Sequence, residues 1–215
     1  MPLRIGVLAL QGDVSEHIDM TNIALKGMGL EGEAIIVKEK DQIDEIHGLI
    51  IPGGESTTIG RMAERYEIIT RIKDTALAGM PIFGTCSGLI LMAKKVRDVK
   101  IGEMDQPTLG LLDVEVIRNA FGRQRESFET DLKINKIGKN PFLGVFIRAP
   151  AISSILSKDV EVIARYEDKI VGVQQNSLMG ISFHPELTDD TRLHELFIEL
   201  ILNSPFKDRI SKSNS

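Results

Sequence analysis

Hydrophobic residues follow different patterns in the two halves of the chain. In the first half, short aliphatic runs occur at 4–10, 33–38, 47–54 and 80–84. Such runs are typical of strands that are covered on both faces. The segments between them space their apolar residues as helices do, which predicts helices over 14–29, 57–78 (with a break near Tyr66) and 87–96. Strands that alternate with helices favour right-handed crossovers and a mainly parallel sheet.

From about residue 110 the hydrophobic runs become shorter and alternate with polar residues. They lie at 111–119, 126–134, 143–150, 160–166, 169–176 and 178–185, and Gly, Asn, Asp or Pro separates them. This pattern predicts hairpins and antiparallel strands. An amphipathic helix is predicted over 189–202, with Asp189, Asp190 or Thr191 as its N-cap. The polar segment 207–215 is expected to fray.

Together these elements predict an α/β fold. We expect a single three-layer domain with a mainly parallel central sheet, helices on both faces and antiparallel additions in the second half. We place this domain at residues 1–203 and a polar C-terminal tail at 204–215. The sequence contains no internal repeat, low-complexity linker or change of composition that would divide it into two domains.

Composition narrows the classes of function. Of the 215 residues 42% are hydrophobic and 27% charged, and the net charge is −5. Acids and bases are interspersed, so no basic segment for nucleic acid or an anionic membrane is present. The N-terminal apolar stretch is too short to span a membrane and lacks a cleavage site. We therefore expect a cytoplasmic protein with neither nucleic-acid nor membrane partners.

The single cysteine lies in a short segment that predicts a nucleophile. One cysteine excludes an internal disulfide and a multi-cysteine metal site. Cys86 lies within G-T-C-S-G (84–88), between a predicted strand and a predicted helix, which is the form of a nucleophile elbow with sulfur in place of oxygen. A helix N-terminus favours the reactive thiolate, and the backbone N–H of Ser87 is placed to stabilise an oxyanion. A free cysteine outside such a frame is usually a small buried apolar residue.

A cysteine nucleophile needs a base and a group that orients the base. His184 ends an apolar strand and is followed by Pro185 and Glu186. Residues i and i+2 of an extended segment point to the same face, so Glu186 is expected to reach the ring of His184. Cys86, His184 and Glu186 then form the nucleophile, base and orienting acid of an acyl-transfer site.

The other three histidines are expected at the surface. His17 follows Glu16 on the first predicted helix, His47 precedes a strand, and His194 lies among acidic residues of the last helix.

The segment P-G-G-E-S-T-T (52–58) follows the third predicted strand. Its two glycines allow the backbone to approach a ligand closely, and their N–H groups could supply a second oxyanion donor. The alternative is an ordinary β-turn whose following helix is capped by Ser56 or Thr57. The segment by itself leaves both interpretations open.

These motifs together resemble a known family. G-T-C-S-G, P-G-G-E-S-T-T and S-F-H-P-E-L-T (182–188) are similar to the class I, triad-type glutamine amidotransferases. The further segments L-A-L-Q-G (8–12), R-N-A-F-G-R-Q (118–124) and V-F-I-R-A-P (145–150) resemble, more narrowly, the glutaminase subunits of pyridoxal 5′-phosphate synthase. The resemblance covers about residues 3 to 202. The segment 94–108 and the tail lie outside the matching motifs.

The resemblance implies roles for individual residues. Cys86 would be the nucleophile, His184 the general base and then acid, and Glu186 the residue that orients His184. The amides of Gly54 and Ser87 would form the oxyanion hole. The residues that would contact glutamine are Gly54, Glu55, Ser56, Arg118, Ile147 and Arg148, the arginines because a substrate carboxylate calls for a guanidinium. The peptide at Gln11 and Gly12 would respond to the partner.

The implied reaction is hydrolysis of L-glutamine to L-glutamate and ammonia through a cysteine thioester, with no metal or organic cofactor. The implied partner is the synthase subunit, which uses the ammonia with ribose 5-phosphate and glyceraldehyde 3-phosphate to make pyridoxal 5′-phosphate. Three alternatives stay open at this point. They are the glutaminase of a histidine, purine or anthranilate pathway, a cysteine hydrolase or deglycase of related fold, and a catalytically inactive binding subunit.

Overall fold

Thirteen strands occur in the part of the chain that the computed structural model describes, residues 2–122 and 126–208. They are β1 (Leu3–Leu8), β2 (Gly32–Val37), β3 (Gly48–Ile51), β4 (Ile82–Thr85), β5 (Ala93–Asp98), β6 (Gly102–Glu103), β7 (Leu112–Arg118), β8 (Ser127–Leu132), β9 (Phe142–Ile147), β10 (Ala151–Ile155), β11 (Val160–Tyr166), β12 (Lys169–Gln175) and β13 (Leu178–Ile181). The α-helices are α1 (Val14–Gly27), α2 (Ser56–Arg65), α3 (Ile68–Leu77), α4 (Ser87–Met92) and α5 (Arg192–Asn203). Short 3₁₀ helices lie at Lys40–Glu45, Asn135–Ile137, Pro185–Leu187 and Pro205–Asp208.

One large sheet organises the molecule. Its strands follow the spatial order β2-β1-β3-β4-β13-β12-β10-β7-β5-β6, and β11 pairs with β12. The five strands from β2 to β13 run parallel. The strand β12 pairs antiparallel with β13 and β11, as the alternating pattern of the second half predicts, and β10 pairs antiparallel with β12 and β7. A separate hairpin of β8 and β9 lies outside this sheet.

Helices cover both faces of the sheet, as expected for three layers. On one face, α1 and α5 bury apolar residues such as Leu25 and Phe197. On the other face, α2, α3 and α4 bury Ile59, Ile72 and Leu89. The strands β3 and β4 between these layers are buried along their whole length, which explains why their sequences are continuously apolar rather than alternating.

The structure corrects several element boundaries. The helix predicted over 87–96 ends at Met92, and residues 93–98 form β5, because this segment pairs in parallel with β7 and that pairing outweighs its helical propensity. The strand β10 was not predicted, since its Ser-Ser sequence carries no apolar alternation. The first strand ends at Leu8 rather than at residue 10. The predicted break near Tyr66 is confirmed, with Glu67 in a left-handed conformation between α2 and α3.

The last helix ends at Asn203, and the chain stays packed just beyond it. Phe206 is buried, and the Ser204 hydroxyl donates a hydrogen bond to the carbonyl of Gly79. The division at 203 and 204 stays a prediction, and residues 209–215 of the predicted tail lie outside the described residues. Among the helices of residues 2–122 and 126–208, none has both the length and the apolar composition needed to cross a membrane.

The contact between α4 and β3 generates a stability prediction about two glycines. A Cβ on Gly88 would lie 2.0 Å from the carbonyl oxygen of Ile51, whereas a Cβ on Gly27, at the end of α1, would meet nothing within 4 Å. Gly88→Ala should therefore lower the midpoint of urea unfolding. Gly27→Ala should leave the midpoint unchanged or raise it, because the free energy of unfolding can rise by up to about 1 kcal/mol. Equal midpoints for the two variants would contradict this packing.

Candidate active site

The candidate residues lie where four adjacent parallel strands end. Gln11 follows β1, the Gly53-Gly54 pair follows β3, Cys86 follows β4 and His184 follows β13. These strands are neighbours in the order β1-β3-β4-β13. Parallel strands bring their carboxyl ends to one edge of the sheet, and ligands bind there in open α/β folds. The topology therefore brings four sequence-distant segments together.

Cys86 occupies a sharp turn between β4 and α4. Its backbone has a φ of +48° and a ψ of −102°, a positive-φ conformation that is uncommon for a residue with a side chain. Its N–H donates to the carbonyl of Ile181 at 2.9 Å. A Cβ on Gly84 would lie 2.6 Å from the backbone carbon of Gly88. The two flanking glycines are thus required by close backbone packing, as the nucleophile-elbow interpretation predicts.

His184 and Glu186 form a direct hydrogen bond. The Nδ1 of His184 lies 2.7 Å from Oε1 of Glu186, and both side chains are almost fully buried. The sequence-based prediction of this contact is confirmed, but its assumed geometry is wrong. Residues Pro185–Leu187 form a 3₁₀ turn instead of an extended segment, with Pro185 at its start.

The other ring nitrogen of His184 is directed to the nucleophile. Its Nε2 is buried and forms no hydrogen bond of normal length within the described residues. The Cys86 thiol lies close enough to affect the pKa of the ring. Burial lowers the pKa of His184, but the contacts with Asp13, Cys86 and Glu186 outweigh burial and raise it well above 6.5. The hydrogen bond between nucleophile and base is often poorly aligned in a substrate-free site and improves when substrate binds.

Asp13 is a site residue that the sequence analysis missed. Its Oδ2 lies 3.4 Å from Nδ1 of His184, and its side chain is 39% exposed. The hydrogen bond with His184 lowers the pKa of Asp13. The position of Asp13, directly after the Gln11-Gly12 segment, was the available signal. Asp13, His184 and Glu186 also place three potential metal-ligand atoms within 4.8 Å of one another. Their hydrogen bonds already account for this clustering.

The expectation that His17, His47 and His194 lie at the surface is wrong. All three are buried, with exposed fractions of 0%, 3% and 0%. His47 Nδ1 accepts a hydrogen bond from the N–H of Arg4. His17 and His194 lie between α1, α5 and the sheet, where their ring nitrogens are 3.1 Å apart. Acidic neighbours along the last helix did not reveal this, because the helix has an apolar face that contains His194.

The glycine loop after β3 is fixed by residues of two other segments. The N–H of Glu55 donates to Oε1 of Gln11 at 2.6 Å, and the hydroxyl of Ser87 donates to the carbonyl of Gly54. A Cβ on Gly12 would lie 1.6 Å from the carbonyl oxygen of Gly53. The loop after β1, the loop after β3 and the start of α4 therefore pack backbone against backbone.

The helix α2 is capped by Glu55, not by Ser56 or Thr57 as the turn interpretation expected. The Glu55 carboxylate accepts hydrogen bonds from the N–H groups of Thr57 and Thr58 at 3.1 and 2.7 Å. Burial raises the pKa of Glu55, but these bonds outweigh it and lower the pKa to about 2.

The N-cap of the last helix, α5, is Thr191. The first N–H of this helix, that of Arg192, donates to the Asp190 side chain.

A cavity of about 300 Å³ opens in front of Cys86. It is lined by Gln11, Asp13, Gly54, Glu55, Ser56, Cys86, Ser87, Ile90, Arg118, Asn119, Ile147, Arg148 and His184. Every site residue predicted from the sequence is therefore at the cavity except Gly12, which packs behind its wall, and Glu186, which lies behind His184. Asp13, Ile90 and Asn119 were not predicted.

Two arginines line this cavity. The guanidinium of Arg118 is held by the Thr57 hydroxyl at 3.0 Å and by Gln106 Oε1 at 3.2 Å, and it lies 3.4 Å from a Glu55 oxygen. Arg148 is exposed at the cavity with a left-handed φ of +43°. In the motif 118–124, Arg123 and Gln124 lie outside the described residues. Cavity size and charge suit a small ligand with a carboxylate.

The chain is similar over nearly its whole length to proteins named pyridoxal 5′-phosphate synthase subunit PdxT. It is 50% identical to the protein of Pyrococcus furiosus over 201 residues, and these residues are 93% of this chain and 100% of that protein. It is 48% identical over 200 residues to the protein of Pyrococcus abyssi, with the same two coverages. A Geobacillus protein is 49% identical over 199 residues, which are 93% of this chain and 97% of that protein.

Solved structures confirm the fold. The crystal structure of a glutamine amidotransferase matches with a TM-score of 0.81 and 47% identity, over 92% of this chain and 98% of that one. PurLQS from Thermotoga maritima matches with a TM-score of 0.61 and 20% identity, over 94% and 99% of the two chains, a likeness of fold alone. Residues 7–203 match the SNO glutamine amidotransferase family, and the chain belongs to that family.

Proposed function

We propose that this chain is the glutaminase subunit of a pyridoxal 5′-phosphate synthase, with Cys86, His184 and Glu186 as its catalytic triad. The observation that carries the proposal is the meeting of the elbow cysteine with the hydrogen-bonded His184–Glu186 pair at one cavity, in a member of a glutamine amidotransferase family. Relatives nearly half identical over their full length carry the name of that subunit. The partner is a synthase subunit that receives the ammonia.

The reaction begins with attack by Cys86 on the side-chain amide of glutamine. A raised pKa keeps His184 as an imidazolium, and a cation beside the sulfur favours the thiolate. The imidazolium then donates its Nε2 proton to the amide nitrogen, the C–N bond breaks, the nitrogen leaves as ammonia, and a thioester of Cys86 remains. Water, deprotonated by His184, hydrolyses the thioester and releases glutamate. Glu186 holds the ring by its Nδ1 throughout.

The tetrahedral intermediates need donors for their oxyanion. We assign this role to the backbone N–H groups of Ser87, which begins α4, and Gly54. The Ser87 hydroxyl holds the Gly54 carbonyl, so the two donors are mechanically linked. Glu55, Ser56 and Ile147 line the remaining wall, and the two arginines face the amino-acid end of glutamine.

Loss of the nucleophile should abolish the reaction. Cys86→Ala should lower the rate of glutamine hydrolysis, measured with the synthase subunit present, by roughly three orders of magnitude or more, because the covalent route disappears. Association with the synthase, followed by gel filtration, should persist, since only a sulfur atom is removed. A variant that retains a substantial rate would contradict the assignment of Cys86.

Removal of a cavity arginine should affect binding more than turnover. Arg148→Ala should raise the KM for glutamine about tenfold or more and change kcat less, because a charge-assisted contact to the α-carboxylate is present in both ground and transition states. Arg165, exposed on β11, does not line the cavity and provides the control variant Arg165→Ala. An equal loss in kcat with unchanged KM would assign Arg148 to another role.

Docking of the synthase is proposed to control the oxyanion hole through the peptide at Gln11 and Gly12. An always-active glutaminase would release ammonia with no acceptor, and loss of one oxyanion donor lowers a rate about a hundredfold or more. Gly12 has a φ of +114° and contacts the Gly53 carbonyl, while Gln11 holds the Glu55 N–H. Any shift of the first loop is therefore transmitted to the second.

Gly12→Ala should consequently abolish stimulation by the synthase. Gly29→Ala is the matched control, because Gly29 also has a positive φ, of +67°, but its Cβ would meet nothing within 4 Å. We expect wild type and Gly29→Ala to hydrolyse glutamine slowly alone and rapidly with purified synthase. Full activity of the wild-type chain alone, or normal stimulation of a folded Gly12→Ala variant that still associates, would contradict the control mechanism.

A further inference from the structure

A buried polar cluster lies next to the triad, outside the cavity. It consists of Thr85 at the end of β4, His17 on α1 and His194 on α5, and all three side chains are inaccessible to solvent. His17 Nε2 lies 3.3 Å from Oε2 of Glu186, the carboxylate oxygen that His184 does not use. This Oε2 is buried and has no well-aligned hydrogen bond within the described residues. His17 is thus the group that faces an otherwise unsupported oxygen.

The surroundings of both histidines of the cluster favour the neutral ring. Burial lowers the pKa of His17 well below 6.5, and the charges of His194 and His184 act in the same direction. Burial lowers the pKa of His194 to about 4. A neutral imidazole has one N–H donor and one bare nitrogen, so the arrangement of the cluster depends on which nitrogen carries the hydrogen.

The contacts favour one arrangement of these hydrogens. His17 Nε2 lies 3.0 Å from the Thr85 hydroxyl oxygen and 3.3 Å from Glu186 Oε2. A lone pair on this nitrogen would face the charge of a buried carboxylate, which is costly. With hydrogen on Nε2, the N–H donates to the Thr85 hydroxyl, and its positive end lies beside the carboxylate oxygen at 3.3 Å.

His194 completes the arrangement. His17 Nδ1, left bare, must accept, and His194 Nε2 lies 3.1 Å away as its donor. The Nδ1 of His194 then carries a lone pair, and this atom is buried without a partner among the described residues. An under-satisfied acceptor is tolerated better than an orphaned N–H donor. Every contact of the cluster therefore agrees with hydrogens on Nε2 of both rings.

We propose that His17 is a positioning residue for glutamine hydrolysis, which places its Nε2–H beside Oε2 of Glu186 and so favours contact of the other oxygen, Oε1, with His184, while His194 fixes the hydrogen of His17. The inference rests on the proposed function of Glu186. It adds His17 of α1 and His194 of α5 to the side chains that position the general base His184.

The charge of Glu186 is the quantity that His17 controls. The ionisable groups around this carboxylate are His184 on its own segment, Asp13 before α1, and His17, with His194 behind it. Burial raises the pKa of Glu186, and the hydrogen bond with His184 opposes that rise. Removal of the His17 donor disfavours the carboxylate further, so its pKa rises and a higher pH is needed to ionise it.

The test compares His17→Leu, which removes the donor, with His17→Gln, whose amide N–H₂ can take the place of Nε2–H. Hydrolysis of L-glutamine is measured against pH with the synthase subunit present. For His17→Leu we expect kcat to fall about tenfold to a hundredfold, as when other residues that orient a functional side chain through a hydrogen bond are removed. We also expect the acid limb of the kcat/KM profile to move to higher pH. His17→Gln should restore most of both. The proposal is overturned if the acid limb of a folded His17→Leu variant does not move, or if the His17→Gln variant does not recover the lost activity.

His47→Leu controls for the loss of a buried histidine. His47 is 3% exposed and bonds to Arg4 at the opposite end of β3 from the glycine loop. It should lower stability but leave the acid limb in place. Cys86→Ala is measured in parallel, since activity in that variant would overturn the proposed function itself. An inactive Cys86→Ala with a wild-type-like His17→Leu overturns only the inference.

A direct measurement keeps the proposal testable if His17→Leu does not fold. The ¹⁵N chemical shifts of the imidazole nitrogens in the wild-type chain distinguish the two neutral forms of each ring. We expect His17 and His194 to carry hydrogen on Nε2 and to remain neutral from pH 5.5 to 8, because burial lowers the pKa of both rings. Hydrogen on Nδ1 of His17, or protonation of its ring in this range, overturns the proposal.

Discussion

The close approach of α4 to β3 is the constraint on which the site depends. Gly88 lies so near the carbonyl of Ile51 that a methyl group would not fit, and a methyl group on Gly84 would lie only 2.6 Å from the backbone of Gly88. This approach forces the chain through the positive-φ conformation at Cys86. The strain is held by the hydrogen bond from the Cys86 N–H to Ile181 in the neighbouring strand. Nucleophile, glycine loop and His184 are therefore positioned by one packing arrangement of three strands and a helix.

Close backbone packing also links the loops around the nucleophile. Gly12 contacts Gly53 backbone to backbone, and Ser87 holds the carbonyl of Gly54. Such contacts have no side-chain rotamers that could absorb a displacement, so a movement of one loop changes the peptide orientation in the next. Oxyanion stabilisation depends on peptide orientation to within a fraction of an ångström. A partner that touches only the first loop can therefore control the chemistry at Cys86.

The sequence predicts the site well where the functional residues are close together in the chain. The elbow glycines, Cys86 and the His184–Glu186 pair are specified by local spacing, and the order of parallel strands brings them together. Burial was predicted poorly, because it depends on distant partners. His17 bonds to His194, 177 positions away, and nothing near either residue in the sequence indicates the other. The strand β5 was taken for helix because its pairing with β7 is not local. Asp13 reaches the base only through the fold of the first loop.

Two carboxylates compete for the single hydrogen on Nδ1 of His184, and their environments decide between them. Glu186 is nearer, at 2.7 Å against 3.4 Å for Asp13, and its side chain is fully buried whereas that of Asp13 is 39% exposed. Solvent screens the charge of the more exposed acid, so Glu186 orients the ring and Asp13 contributes mainly to the charge of the imidazolium. Because Asp13 follows Gly12 directly, a movement of that peptide changes the distance of this second charge from His184. In the proposed mechanism, the loop at Gln11 and Gly12 therefore affects both the proposed oxyanion hole and the proton affinity of His184.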